Sequence, residues 1–476
     1  MTDLKSRWLA LYVLCLGDLM IVLDSSIVNV ALPSIQSDLG FSQSALAWVV
    51  NAYLLTFGGF LLLSGRLGDL LGSRRVFLGG VVAFVAASVA CGLAPTAGLL
   101  VLGRAVQGLG GAAVSAVALS LIVGLFTDPA ERAKAMGFFG FVMSGGGAVG
   151  VLLGGVLTGL LSWHWIFLVN VPIGVAVFVA ARRVLPTDEV PAQRGRVDVL
   201  GAVLVTAALM LSVYGIVEGA PWLIAGSLAL LAAFVLWESR VAEPLVPLRL
   251  FRLRNVVVSQ VVGVLWAAAM FAWFFLAALY LQQVLGYDAL EVGLAFVPTS
   301  VVMAYCSLRV SDRLVLRLGI RPPLVVGLGL ASLSLALFSR APVGGHFLTD
   351  VLPSMLLLGV GAGIAFNPVL LAAMGDVEPH ESGLASGVVN TSFMMGGALG
   401  LAVLVSVSTS RTSSLAASGA SSLEALNGGF QLAFAAGACF AAVAAVIGGA
   451  LLRPRPMAPV DPADPAAEVA APSAGG

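Results

Sequence analysis

Fourteen apolar runs, each long enough to cross a bilayer as a helix, follow one another along this chain with short polar breaks between them. No water reaches the backbone N–H and C=O groups inside the hydrocarbon, so a spanning segment must satisfy them as a helix or in a closed barrel. A helical span takes about 20 predominantly apolar residues. Runs of that kind lie at about 8–32, 45–65, 76–94, 98–125, 136–160, 164–185, 198–217, 221–238, 256–282, 290–309, 322–340, 350–373, 383–408 and 429–452. With 59% of its residues hydrophobic and 10% charged, against about 25% charged in soluble domains, the chain reads as an all-α membrane protein.

The basic residues predict an orientation, because Arg and Lys concentrate in loops that stay on the cytoplasmic side. With the N-terminus cytoplasmic, all of the 24 basic residues except Arg104, Arg340 and Arg411 fall in inside segments. An even number of spans then leaves both termini cytoplasmic. Lys5 and Arg7 precede the first run as in a secretory signal, but Asp18 and Asp24 interrupt it and no A-x-A site follows. That pattern predicts a retained first helix.

Two polar or basic inside loops, 185–197 and 239–254, bracket a central pair of spans. The expected organisation is a six-helix bundle over 1–185, a linker with two extra spans over 186–254, a second six-helix bundle over 255–452, and a Pro- and Ala-rich disordered tail over 453–476. A faint repeat links the halves. Arg66-Leu-Gly-Asp69 with Gly72 and Arg74 follows the second span, and Arg309-Val-Ser-Asp312 with Gly319 and Arg321 follows the second span of the last six. Duplicated halves are the architecture of many secondary carriers.

Few charges lie within the spans. Asp24 sits near the middle of the first, where a charged side chain costs about 2.5 kcal/mol or more unless it has a polar partner or a wet cavity. A carboxyl that alternates between desolvation and a nearby cation binds and releases a proton near neutral pH; one fixed to a neighbouring helix does not. Arg104 and Gln107, three apart on one face of the fourth span, offer the obvious partners, since a buried guanidinium needs an anion or several carbonyls. Asp18 and Glu218 are the other acids near a membrane span. Asp18 lies about 120° round the helix from Asp24, at ~100° per residue, facing either the cavity or an adjacent helix.

Four stretches carry a recognisable pattern: LDSSIVNVALP from Leu23 to Pro33; Gly65-Arg-Leu-Gly-Asp69-Leu-Leu-Gly72-Ser-Arg74-Arg75; Leu102-Gly-Arg104-Ala-Val-Gln107-Gly108-Leu-Gly110-Gly111; and Gly146, Gly150, Gly154 and Gly155 in the fifth span. Together they resemble the fourteen-helix drug:proton antiporter branch of the major facilitator superfamily, the EmrB/QacA type, over nearly the whole chain up to the tail. The resemblance implies that Asp24 is central to proton coupling. It also implies that Asp69, with Arg66, Arg74 and Arg75, latches the outward-open state against the thirteenth helix near Ser382. The glycines at every fourth residue form a smooth stripe for helix contact; the antiporter motif has proline where this chain has Val151. Trp163 and Trp165, in a stretch running on to Asn170, read as interfacial anchors, with His164 where arginine is common. Phe393 and Met394 stand where an Arg-Gln pair is frequent, and either suit a lipophilic cargo or pack.

Asn29, Asn51, Asn367 and Asn390 are the expected polar groups of a midplane cavity. The four cysteines, Cys15, Cys91, Cys306 and Cys439, lie in apolar spans without metal-ligand spacing and read as packing residues. His164, His346 and His380 are scattered over loops on both faces, no Walker A run precedes Lys5 or Lys134, and no repeated polar ring suggests a channel filter. The expected function is proton-coupled export of small amphipathic organic compounds by alternating access. The alternative is a proton-coupled symporter importing a small organic solute. Expected partners are the substrate, protons and the lipid bilayer, with no nucleic acid, no cofactor, no metal and a functional monomer. The scarcity of lysine suits a GC-rich bacterial genome, and the location is a bacterial plasma membrane.

Overall fold

The structure, a computed structural model, describes residues 4–126, 128–186, 198–241, 244–246, 248–374 and 382–453. Most of the 185–197 loop, the acidic loop with Asp376, Glu378 and Glu381, and nearly all of the expected tail lie outside the described residues. Among the described residues there are fourteen principal helices and no strands. They are α1 (Leu4–Leu39), α2 (Trp48–Leu71), α3 (Ser73–Gly92), α4 (Ala97–Leu125), α5 (Pro129–Leu160), α6 (Asn170–Val184), α7 (Val199–Glu218), α8 (Pro221–Glu238), α9 (Arg254–Leu279), α10 (Ala289–Tyr305), α11 (Arg321–Phe338), α12 (Leu352–Met374), α13 (Ser382–Ala417) and α14 (Ser422–Leu451). Thirteen of these regions are long and apolar enough to cross a membrane. In α5 the shorter apolar segment Val149–Leu160 marks the remaining one.

Several helices outrun their apolar stretches. The 36 residues of α1 make a rod of about 54 Å at ~1.5 Å per residue, well beyond the ~30 Å hydrocarbon core. Apolarity locates the part in lipid, whereas helix ends are set by capping. Thr96 caps α4, Asp198 caps α7, and capping boxes at Asp288 with Glu291 and at Ser421 with Glu424 start α10 and α14.

Packing repeats between the halves. In the first, α1 packs on α5 and α6, α2 on α4, and α3 on α4 and α6; in the second, α9 packs on α13 and α14, α10 on α12, and α11 on α12 and α14. The halves meet through α2 against α13 and α5 against α10, which pair the same positions in exchanged roles. The extra helices α7 and α8 pack on each other, and α7 lies against both α2 and α13.

One end of this arrangement is tied shut. A π-helical turn, Tyr280–Val284, prolongs α9 and directs Gln282 Nε2 to the Val30 carbonyl of α1 at 2.9 Å and Gln283 Nε2 to Gln36 Oε1 at 2.9 Å. Both are polar groups at the end of a largely apolar run, and nothing in their spacing points to this task.

Candidate proton and substrate site

Five helices of the first half converge on one buried polar cluster. Asp24 (α1), Arg104 and Gln107 (α4) and Ser88 (α3) are fully buried, and Asn170 (α6) nearly so. Arg104 Nη1 donates to Asp24 Oδ2, forming a buried ion pair. Gln107 Nε2 and Asn170 Nδ2 donate to Asp24 Oδ1 at 3.0 and 2.8 Å. The two carboxyl oxygens thus accept three hydrogen bonds, from two helices.

Arg104 reaches further. Its Nε donates to the Val49 carbonyl of α2 at 2.9 Å, its Nη1 also to Gln107 Oε1 at 2.8 Å, and its Cζ lies 4.4 Å from the centre of the Tyr53 ring and 5.7 Å from that of Phe167. The planar guanidinium thus bonds in its plane and stacks on its face. Gln107 Nε2 bonds Ser88 Oγ at 2.8 Å, and the Cys91 thiol lies 3.5 Å from Gln107 Oε1. Cys91 therefore touches the cluster instead of serving packing alone. Close approach depends on small residues of α4: a Cβ on Gly108 would enter the backbone of α2 at Tyr53, and one on Gly110 that of α3 at Phe84.

Asn170, Ser88, Tyr53 and Phe167 are site residues that the sequence reading missed. For Asn170 the available signal is its position as a lone amide at the start of the sixth span. Ser88 carried none.

Asp18 is also fully buried and faces α4, where Ser115 Oγ donates to its Oδ1; its Oδ2 has no partner among the described residues. Glu218 ends α7 as an exposed residue and does not join the cluster. Asp69, Arg66 and Arg75 are exposed at the end of α2 and the start of α3, and Arg74 Nη2 donates to the Arg182 carbonyl in the last turn of α6. The side chain of Ser382, the expected partner region for Asp69, is outside what is described.

The glycines divide in two. Added Cβ atoms on Gly146, Gly150 and Gly154 would meet Leu19 and Val22, Leu23 and Ser26, and Ile27 of α1, so these three form one stripe. Gly155 faces away from it, to Ala289, Leu290 and Gly293 of α10 across the two halves. Adjacent helical positions are ~100° apart, which is why one motif serves two partners.

The four expected cavity amides do not form a cluster. Asn29 bonds carbonyls of its own helix, at Ser25 and Ser26; Asn51 is fully buried without a hydrogen-bond partner among the described residues; Asn367 Nδ2 donates to the Ser307 carbonyl at 3.1 Å; Asn390 is exposed. Phe393 forms an aromatic group with Phe271 of α9 and half-exposed Phe366 of α12, centroids 5.8 and 6.2 Å away. Met394 packs instead, against Gly58 of α2.

One expectation needs correction. Trp163 is no interfacial anchor: it is 4% exposed, stacks on His164, and donates through Nε1 to Asp38 Oδ2 at 2.9 Å, fastening the end of α1. Its N–H found a carboxylate within the protein, while Trp165 remains 47% exposed.

The profile described as Major Facilitator Superfamily matches residues 14–401. The chain is 40% identical over 416 residues to the puromycin resistance protein pur8 of Streptomyces alboniger, covering 85% of this chain and 82% of that one. It is 40% identical over 418 residues to the cephamycin export protein CmcT of Amycolatopsis lactamdurans, covering 85% of each, and 38% identical over 414 residues to a lincomycin resistance protein of Streptomyces lincolnensis, again covering 85% of each. Among solved structures, an auto-inhibited POT family peptide transporter superposes with a TM-score of 0.69 at 16% identity, over 95% of this chain and 98% of that one. A D-xylose-proton symporter does so with 0.66 at 16%, over 94% and 98%. At such identities the likeness is one of fold.

Proposed function

This chain belongs to the Major Facilitator Superfamily, and from that premise we propose that it is a proton-coupled exporter of small amphipathic organic compounds, antibiotics among them, working as a monomer in a bacterial plasma membrane with both termini cytoplasmic. The printed names of its relatives, which speak of resistance and export, support export. The observation that carries the mechanism is the buried Asp24–Arg104 pair. The cargo is moved without chemical change.

In this reading Asp24 is the proton carrier. Both of its oxygens already accept hydrogen bonds, so a proton arriving on either must displace a donor. Arg104 then loses its anion while still bonded to the Val49 carbonyl of α2. Since α2 packs on α13 at Gly58, against Thr391 and Met394, a movement of Arg104 acts on the seam between the halves. Asp18, nearer the start of α1 and bonded to Ser115 of α4, is a second stop on the proton's route. The Phe271–Phe366–Phe393 group supplies an apolar, aromatic wall for the cargo where the branch frequently has an Arg-Gln pair. Asp69 with its neighbouring arginines steadies the inner end of α2 in the outward-open state.

Purified protein in liposomes with an imposed pH gradient provides the test. Uptake of a labelled lipophilic antibiotic into vesicles acidic inside, abolished by Asp24→Asn, supports proton-driven exchange. Accumulation driven by a gradient of the opposite sign would mean symport.

A further inference from the structure

Away from the Asp24 cluster, a second pair of buried acids lies where the extra helices meet the seam between the halves. Asp198 caps α7 and Glu238 ends α8; they are 8% and 3% exposed. Asp198 Oδ1 accepts from Gly201 N and from Trp237 Nε1, both at 2.8 Å, and Glu238 Oε2 accepts from Val246 N at 3.1 Å. The other oxygen of each, Asp198 Oδ2 and Glu238 Oε1, has no donor among the described residues. Both point at the same spot, each within 3.0 Å of the place a Cβ would take on Gly201.

Two carboxylate oxygens facing each other without a donor or a cation repel, whereas one proton between them satisfies both. Among the described residues no lysine or arginine pairs with either acid. Among the described residues, Trp237 from α8, the Val246 amide from the following segment and Gly201 from α7 are the groups that face them. The segment held by Glu238 has a specific place. Leu245 packs with Leu63 of α2 and Ala202 of α7, and Val246 reaches a second group formed by Leu62 of α2, Val256 of α9 and Val388 of α13.

We propose that Asp198 and Glu238 form a proton-binding site, distinct from Asp24, whose shared proton clasps the Leu245–Val246 segment over the end of the α2–α13 seam. With the proton bound, Glu238 is held beside Asp198 and keeps its grip on the Val246 amide. With the proton lost, the carboxylates part, Glu238 releases that amide, and the seam loses the two apolar side chains that cover it. The extra helix pair thereby gives a six-plus-six carrier a pH-sensitive brace at the α2–α13 seam; among the described residues no extra helix packs on both α5 and α10.

Amide hydrogen exchange on the purified full-length protein in lipid nanodiscs tests this without any substrate, so its outcome is separate from that of the transport reading. After correction for intrinsic exchange, the amides of the Leu245–Val246 segment should exchange about fivefold or more slowly at about pH 6 than at about pH 8. In Glu238→Gln and in Asp198→Asn an amide N–H replaces the shared proton, and exchange should be slow at both pH values. Gly201→Ala pushes a methyl between the oxygens and should make exchange fast at both. Equal protection of the wild-type segment at the two pH values overturns the proposal. So does a pH difference that survives in Glu238→Gln and Asp198→Asn, or fast exchange in both at either pH.

Discussion

Gly155 of α5 and Gly293 of α10 lie backbone to backbone: a Cβ on either would stand 3.1 or 3.2 Å from the Cα of the other. With Gln282 on Val30 and Gln283 on Gln36 nearby in the chain, this contact closes the end of the molecule where α1 finishes. A leucine at Gly155 has nowhere to go without parting the helices. In Gly155→Leu, a cysteine placed at Gln36 should react several-fold faster with an impermeant maleimide than in the unsubstituted background.

Arg104 has one anion, and removing either partner of a buried pair leaves the other uncompensated. Such changes cost about 3–5 kcal/mol, whereas replacing both partners by neutral groups of similar size is far milder. Arg104→Leu should therefore lower the melting temperature in detergent markedly. Asp24→Asn with Arg104→Gln should recover most of that loss without recovering proton-driven transport.

The stripe on α5 predicts a graded result. A methyl on Gly154 would stand 2.6 Å from the Ile27 carbonyl, whereas one on Gly147 meets nothing within 4 Å. Gly147→Ala should be neutral or stabilising by up to about 1 kcal/mol through helix propensity. Gly154→Ala should be destabilising by about 1–3 kcal/mol because α1 must move. Thermal unfolding of the two variants side by side gives the comparison.

Trp163 fastens the end of α1 through Asp38. Trp163→Phe keeps the ring over His164 but removes the donor, and a hydrogen bond to a charged group is worth about 1.5–3 kcal/mol. The melting temperature should fall by a few degrees. Asp38→Asn, which retains an acceptor oxygen, should fall less.

The helices were legible because a bilayer allows so few solutions: apolar runs announce their number, and the arginines in the loops suggest their sense. Their ends were not, because α1 and α13 continue beyond the lipid where hydropathy no longer reports. In the site, Asp24 and Arg104 stood out because isolated charges in apolar spans are rare, and their pairing followed from having opposite sign. Ser88, Asn170 and the Val49 carbonyl join them through tertiary packing, and serines, amides and carbonyls are too common for sequence to choose among them. Trp163 shows the converse: an aromatic near a span end suggested the interface, and a partner on another helix drew it inside. The Asp198–Glu238 pair was hidden because its members lie about 40 residues apart and meet only where α7 and α8 fold back on each other.

The central claim is that Asp24 couples proton movement to cargo movement, and the most direct measurement separates the two in one preparation. In proteoliposomes, Asp24→Asn should retain exchange of labelled for unlabelled substrate in the absence of any gradient, yet lose accumulation driven by a pH gradient. Accumulation that persists in Asp24→Asn at the wild-type level would contradict the account.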